Sequence, residues 1–323
     1  MSIVQSYPLT VLIPTYNRKD KLLRTLLALK KQTNEKFNII ISDNKSNYSI
    51  KEEILPLLDN KFSEKVQIFE QPFNVGGAAN IVGLLGLCKS KWGWMLGDDD
   101  LVNENAIDII YKKIEQFPDA KLFWFSLELS YKEEEYFCSM EELKTMLYRY
   151  HNGWDFIFCS NKIYDISSIG EYMDLTYRYL YTRIAQCFPF MEMLKGRGKV
   201  AVIGSESIVE HAGFDGGVIT WDVNKTISGL RTLIDYETGL DWRNHCIFVK
   251  EVMFGPKFIL KNYLSSKEIP WNYRIFLMNV YHDCYLRCYP LLIRIPIYVS
   301  YKIASTRIGF WVLKKMFYGG KRR

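Results

Sequence analysis

The sequence predicts an α/β fold with a mainly parallel sheet flanked by helices, followed by a helical, basic and aromatic C-terminal extension. Three observations carry this expectation. Through the N-terminal third, short apolar runs rich in β-formers alternate with stretches of helical periodicity. The ends of these runs lead into polar clusters: Thr15-Tyr16-Asn17, Asp43-Asn44, Asn74 to Gly77, and Asp98-Asp99-Asp100. The charge then changes sign: from Lys261 onward 12 Lys and Arg face 2 Asp and Glu, whereas the rest of the chain holds 30 against 34.

Leu9 to Ile13 is the first expected strand, stopped by Pro14. Lys19 to Lys31 is the first helix, with Leu22, Leu23, Leu26, Leu27 and Leu29 at helical spacing. Phe37 to Ile41 is the second strand and Ile50 to Leu58 the second helix. Val66 to Phe69 is the third strand, and Gly76 and Gly77 open a third helix that reaches Cys88. The fourth strand, Lys91 to Leu96, delivers the acidic triplet. This β-α-β-α-β-α-β order puts all four polar clusters at the carboxyl ends of the strands, where such sheets bind ligands.

The triplet carries the chemistry. Carboxylates this close repel one another, and a divalent cation between them removes the penalty. Mg²⁺ or Mn²⁺ suits oxygen ligands of this kind and leaves positions open for phosphate. An acidic surface turn is the competing reading. Gly76 and Gly77 permit close backbone approach, and the helix start behind them offers unpaired N–H groups. No GxGxxG follows the first strand and no GxxxxGK[ST] occurs, which disfavours dinucleotide and P-loop sites.

Taken together, Thr10 to Arg18, Ile41-Ser-Asp-Asn44, Phe73 to Asn80 and Leu96-Gly-Asp-Asp-Asp100 resemble the family 2 glycosyltransferases of GT-A fold. Among these the resemblance is to bacterial O-antigen and capsule enzymes of the abequosyltransferase-like type. It implies a nucleotide-sugar pocket lined by Pro14, Thr15 and Tyr16, with Asn17 or Arg18 near the phosphates. Asp43 would bond the base or ribose, and Asn74 and Gly76 would border the site. Asp98, with Asp99 beside it, would lie near the ribose and sugar, and Asp100 would ligate Mn²⁺ or Mg²⁺, aided by Asp98. In an extended segment Asp98 and Asp100 would share a face and Asp99 would point away. His211 would reach the metal or the diphosphate. The implied reaction moves a sugar from a nucleoside-diphosphate donor to a hydroxyl of a lipid-linked or polysaccharide acceptor, a polyprenyl-diphosphate-linked glycan for instance.

Phe123 to Ser126 and Phe156 to Cys159 read as further strands, Arg183 to Lys195 as a helix, and Lys199 to Ile203 as a strand. Where relatives carry a catalytic acidic pair, counting back from Gly198 finds Ala185-Gln186. A glutamine is no general base at neutral pH. Glu192, Asp174 and Asp222 are the other candidates, and both the base and the stereochemical outcome stay open.

The seven cysteines are scattered without a CxxC pair, and Met1 to Pro8 runs directly into a strand, which favours free thiols in a reducing cytoplasm. From Trp271 to Tyr318 aromatic and aliphatic residues alternate with Arg and Lys, too often interrupted to span a bilayer. An amphipathic, membrane-associating region over 263–323, following a catalytic domain over 1–262, is expected to meet an anionic surface on the inner face of the cell membrane. No nucleic-acid-binding motif is present. A sugar-1-phosphate nucleotidyltransferase is the rival enzyme class, opposed by Pro14 to Arg18 in place of a glycine-rich loop. A catalytically degenerate scaffold of the same fold is the non-enzymatic rival.

Overall fold

The computed structural model describes residues 7–127, 134–151, 153–196, 198–210, 232–252 and 286–318, with 229, 260, 263–264, 270–272, 275 and 279. The chain forms two compact units, residues 1–143 with 154–218 and residues 144–153 with 219–323, so the expected boundary at 262 falls inside the second.

The first unit is built on an eight-stranded sheet. Its strands are β1 (Leu9–Thr15), β2 (Asn38–Asp43), β3 (Val66–Glu70), β4 (Trp92–Met95), β6 (Leu122–Phe125), β7 (Glu135–Phe137), β8 (Lys162–Asp165) and β9 (Val200–Ile203), in the order β3-β2-β1-β4-β8-β6-β9-β7. The first four run parallel, β8 is antiparallel to both β4 and β6, and β6 pairs parallel with β9. A separate two-stranded pair joins β5 (Leu101–Val102) to β10 (Val209–Glu210).

Helices follow from the same pattern of residues. In α1 (Lys19–Lys30), Leu22, Leu26 and Leu29 are buried at helical spacing and join Val11, Ile13, Ile39, Ile41 and Trp94 in one apolar core. The expected second helix is shorter: α2 (Ile50–Glu53) stops, and Pro56 sits in a 3-10 turn, because proline lacks the N–H an α-helix would need. A further turn, α3 (Asn60–Ser63), is capped by Asp59 and leads to β3. The third expected helix is α4 (Gly77–Leu87), which packs on β1 and β2. An amphipathic α5 (Ala106–Gln116) leads into β6, and α6 (Met140–Tyr150) follows β7.

Beyond β6 the structure corrects two expectations. Phe156 to Cys159 is no strand: α7 (Gly153–Ile157) covers its first half, and the strand is β8, five residues later. After α8 (Ile166–Gly170) and α9 (Met173–Arg178), the expected helix from Arg183 divides. Ala185–Cys187 form a 3-10 turn, and α10 (Phe188–Lys195) begins with Pro189 in its first turn, the one helical position that tolerates proline.

In the second unit the Trp242–Val252 helix buries His245, Cys246, Phe248 and Val249. His245 is held at both ring nitrogens, by the Thr238 hydroxyl and the Ile234 carbonyl, each at 2.9 Å, and burial lowers its pKa. Two helices, Leu291–Ala304 and Arg307–Tyr318, close the described chain. The six described cysteines are free, four of them buried.

Candidate functional site

The sheet order places β1 between β2 and β4, so successive connections leave β1 on opposite sides. The carboxyl ends of β1 and β4 therefore flank a topological switch point, where open α/β sheets bind ligands. Thr15 ends β1, and Asp98 follows β4. The Thr15 hydroxyl donates to Asp98 Oδ2 at 2.7 Å, joining two segments far apart in sequence.

Arg18, just past β1, completes this junction. Its Nη1 donates to Asp98 Oδ1 at 3.0 Å and to Asp99 Oδ2 at 3.1 Å. Lys21 Nζ reaches Asp99 Oδ2 at 3.2 Å, and Arg24 Nη2 donates to the Asp99 carbonyl at 3.1 Å. Three cations of one helix entry thus meet the acidic run. The triplet is a turn and not the extended segment expected, with the Asp100 N–H on the Gly97 carbonyl at 3.3 Å. That geometry changes the grouping: Asp98 and Asp99 share one guanidinium.

Asp98 and Asp100 are buried, whereas the Asp99 side chain keeps 34% of its surface in solvent. Burial pushes the Asp98 carboxyl up to about 6, against the opposing pull of Arg18 and the Thr15 hydroxyl. For Arg18 burial lowers the pKa, but Asp98 and Asp99 outweigh it and the net shift is upward. Asp100 Oδ2 accepts from the Ser160 hydroxyl at 2.5 Å, and that hydroxyl oxygen accepts the Gly97 N–H at 2.8 Å. The Trp94 indole N–H donates to the Ser160 carbonyl at 2.7 Å. A Cβ at Gly97 would come 2.6 Å from Asp100 Oδ2, so a side chain there would force the Asp100 carboxylate to shift.

The remaining rim clusters join the same network. The Asn44 N–H donates to the Thr15 carbonyl at 2.9 Å, and Asn44 Nδ2 to Asn74 Oδ1 at 2.9 Å. Asn74 Oδ1 also accepts the Gly76 N–H at 2.8 Å. Gly76 lies at φ +86°, a conformation that favours glycine. Asp43 Oδ1 accepts the Ser46 N–H at 3.0 Å, and Ser46 Oγ accepts the Asn17 N–H at 2.8 Å. Asn17 is left-handed at φ +54°, which Asn tolerates better than most residues. Tyr16 is exposed, and Pro14 lies half-buried within β1. The buried Tyr48 hydroxyl, with Thr15 and Ser46 around it, makes no well-formed hydrogen bond.

The described base candidates make contacts of their own. Gln186 is buried and its Nε2 donates to the Ile157 carbonyl at 3.0 Å, a bond that ties its 3-10 turn to the segment that carries Ser160. Glu192 pairs with Lys195 at 2.7 Å on α10, and Asp174 pairs with Arg178 on α9. Asp222 and His211 lie outside the described residues.

Whether a divalent cation fits can be judged from the donors. Among the described residues no group of three or more His, Cys, Asp and Glu side chains surrounds one point. One or two carboxylates that leave room for water and phosphate is the arrangement Mg²⁺ ordinarily takes, and Asp98 and Asp99 present their oxygens side by side to Arg18.

Four contributors escaped the sequence reading. Ser160 carries no motif, and only the fold brings it to Asp100. Thr25, whose hydroxyl lies 3.0 Å from the carbonyls of Asp98 and Asp100, was findable as a hydroxyl on the leucine face of α1. Lys21 and Arg24 read as solvated helix charges until the triplet is placed beside them.

Residues 10–159 match the glycosyl transferase family 2 model. Over 121 residues the chain is 31% identical to the succinoglycan biosynthesis protein ExoW of Rhizobium meliloti, covering 37% of each. Over 114 residues it is 30% identical to abequosyltransferase RfbV of Salmonella typhimurium, covering 34% of this chain and 33% of that one. The chain thus spans about a third of the length of these curated relatives. Among solved structures, S. aureus TarS 1-349 in complex with UDP aligns with a TM-score of 0.64 at 12% identity, over 98% of this chain and 93% of that one. The mannosyltransferase PcManGT of Pyrobaculum calidifontis, in complex with GDP-Man and Mn²⁺, aligns at 0.51 and 11%, over 98% and 89%. At such identities these two speak for the fold alone. Residues 10–159, which hold the parallel half-sheet and the rim network, are thus the part of this chain that is similar to glycosyl transferase family 2, and the fold is the GT-A fold.

Proposed function

We propose that this chain is a glycosyltransferase that moves a sugar from a nucleoside-diphosphate donor to an acceptor hydroxyl in bacterial surface-polysaccharide assembly. The observation that carries the reading is the direct junction of Thr15 and Arg18 with Asp98 and Asp99 at the switch point. A diphosphate needs cations, and this site gathers Arg18, Lys21 and Arg24 beside carboxylates suited to a divalent ion.

Asp98 and Asp99 would hold Mn²⁺ or Mg²⁺, with Asp100 as the buried support that Ser160 orients. Bound there, the ion would neutralise charge developing on the leaving diphosphate. Arg18 sits where it can turn from the carboxylates to the phosphates. Asp43, Asn74 and the Tyr48 hydroxyl, which lies beside Thr15 and Ser46, suit the base and ribose. The base that activates the acceptor is carried by a group other than Gln186, whose amide is engaged with Ile157. The acceptor is lipid-linked, and the C-terminal helices hold the enzyme on the anionic inner face of the membrane.

The test is a thermal-shift and hydrolysis screen of UDP-, dTDP-, GDP- and CDP-sugars with and without Mn²⁺. One nucleotide class should stabilise the chain in a metal-dependent manner, and Asp98→Ala should abolish it. Stabilisation by no nucleotide in any metal would sink the reading.

A further inference from the structure

The Leu291–Ala304 and Arg307–Tyr318 helices expose the residues that helices ordinarily bury. In the first, only Tyr301 and Ala304 are buried. Leu292 is 86% exposed, Ile308 79% and Met316 74%. At helical spacing Leu292, Ile295, Val299 and Ile303 form one stripe, facing away from Tyr301 and Ala304. Ile308, Trp311 and Val312 form the matching stripe on the second helix.

The two stripes converge. Val299 and Ile303 supply one wall, and Ile308 and Val312 the other, of an apolar trough of about 590 Å³ with Lys302 in its lining. Gly309 permits the sharp corner, since a side chain there would strike the Ile303 carbonyl. The segment that forms the trough carries charge of one sign: Leu286 to Tyr318 holds Arg287, Arg294, Lys302, Arg307, Lys314 and Lys315 and no acidic residue.

That charge selects the occupant. A second copy docked across a two-fold axis would set these cations against their own kind. An anionic lipid offers a hydrocarbon chain to the trough and a phosphate to Lys302. Among the described residues no helix is long and apolar enough to cross a membrane, whereas helices lying in the interface plane use this mixture of cations, tryptophan and aliphatic residues.

We propose that the trough binds one acyl chain of an anionic phospholipid, with Lys302 against the phosphate. The site rests on the membrane reading given above and is independent of sugar transfer. It is tested on the full chain by native mass spectrometry with lysophosphatidylglycerol below its micelle concentration. One adduct per chain is expected, with lysophosphatidylcholine held about tenfold more weakly. Ile303→Asp with Val312→Asp should remove the adduct, and Lys302→Glu should erase most of the headgroup preference. Both variants alter exposed side chains, and an unchanged melting temperature checks that they fold. Equal adducts with both lipids, an adduct that survives the double substitution, or a lipid-free dimer that the double substitution dissolves would each overturn the site. Vesicle flotation separates the two levels. A chain that floats with phosphatidylglycerol vesicles yet shows no adduct loses the trough site and keeps the membrane reading, and absence of both removes both.

Discussion

The sheet rim and the C-terminal helical pair break the same rule in opposite directions. The rim buries carboxylates, Asp98 and Asp100 among them, in a place where burial raises the Asp98 pKa. The helical pair leaves leucine, isoleucine and tryptophan in water. Folding alone rewards neither arrangement. The difference lies in how each is compensated. At the rim the chain supplies its own counter-charges, Arg18 and Lys21, and its own hydrogen bonds from Thr15 and Ser160. Among the described residues the apolar stripes of the helical pair stay largely exposed, with Lys315 over the Trp311 ring as one local contact. A region that compensates itself can wait for its ligand in a fixed shape, and one that does not compensate itself depends on its surroundings.

The largest effect that sharpens this contrast is catalytic. Asp98→Ala should lower sugar transfer about a thousandfold in steady-state kinetics, the range seen when one preorganised group at a developing charge is lost. Full activity in that variant would reduce the rim to a purely structural device.

The next effect reads the burial cost itself. The Asp98 carboxyl holds its proton more tightly in the folded chain, so its contribution to stability is whole below about pH 4. That contribution is lost as pH rises through about 6. Asp98→Asn escapes the loss. Its stability relative to the wild type should improve by about 3 kcal/mol between roughly pH 4 and pH 7. Urea melts across that range check it, and a constant difference would show that Asp98 carries no burial penalty.

Ser160→Ala comes third. It removes the acceptor of the half-buried Gly97 N–H and the hydroxyl donor to buried Asp100. A loss of about 2 kcal/mol is expected by chemical denaturation, with weaker metal-dependent nucleotide binding. Ser160→Thr, which keeps the hydroxyl, should restore part of both.

The smallest effect belongs to the helical pair. Leu292→Ser should change the stability of the free protein by no more than about 0.5 kcal/mol, because the side chain is exposed. Vesicle binding should nevertheless weaken. A destabilisation of several kcal/mol would mean that Leu292 is packed, and the comparison would fail on that side.

How much of this was legible in sequence follows the same divide. The first four strands announce themselves because each is a short apolar run ending in polar residues, and a parallel sheet puts those ends on one rim. Beyond β6 the signals mislead. Phe156-Ile157-Phe158 is as apolar as a strand, yet Phe156 and Ile157 are buried at the end of a short helix and Phe158 follows it, and periodicity cannot separate the two in so short a run. The true strand β8 is disguised by Lys162, a fully buried lysine. Its ammonium is satisfied by the carbonyls of Asp155 and Phe158 and by Asn161 Oδ1, and burial pulls its pKa down to about 8. Such a residue reads as surface until those carbonyls are in place. At the site, the identity of the rim clusters was legible, but their partners were not. Arg18 was expected near phosphates, and the structure sets it on Asp98 and Asp99. The extended triplet was a reasonable expectation after a strand, and the Gly97–Asp100 turn replaces it.

The position of β8 between β4 and β6 bears on how the molecule can be made and divided. The segment that matches the family ends at residue 159, three residues before β8 begins. A polypeptide cut there would leave β4 with an open edge, the Trp94 indole without its carbonyl and Asp100 without its hydroxyl. The family segment is therefore not a separable piece of this protein. During synthesis the triplet must wait for the residues through β8 to emerge before its pocket is sealed. The shortest expressible fragment that keeps the site intact would have to include β9, the parallel neighbour on which β6 relies.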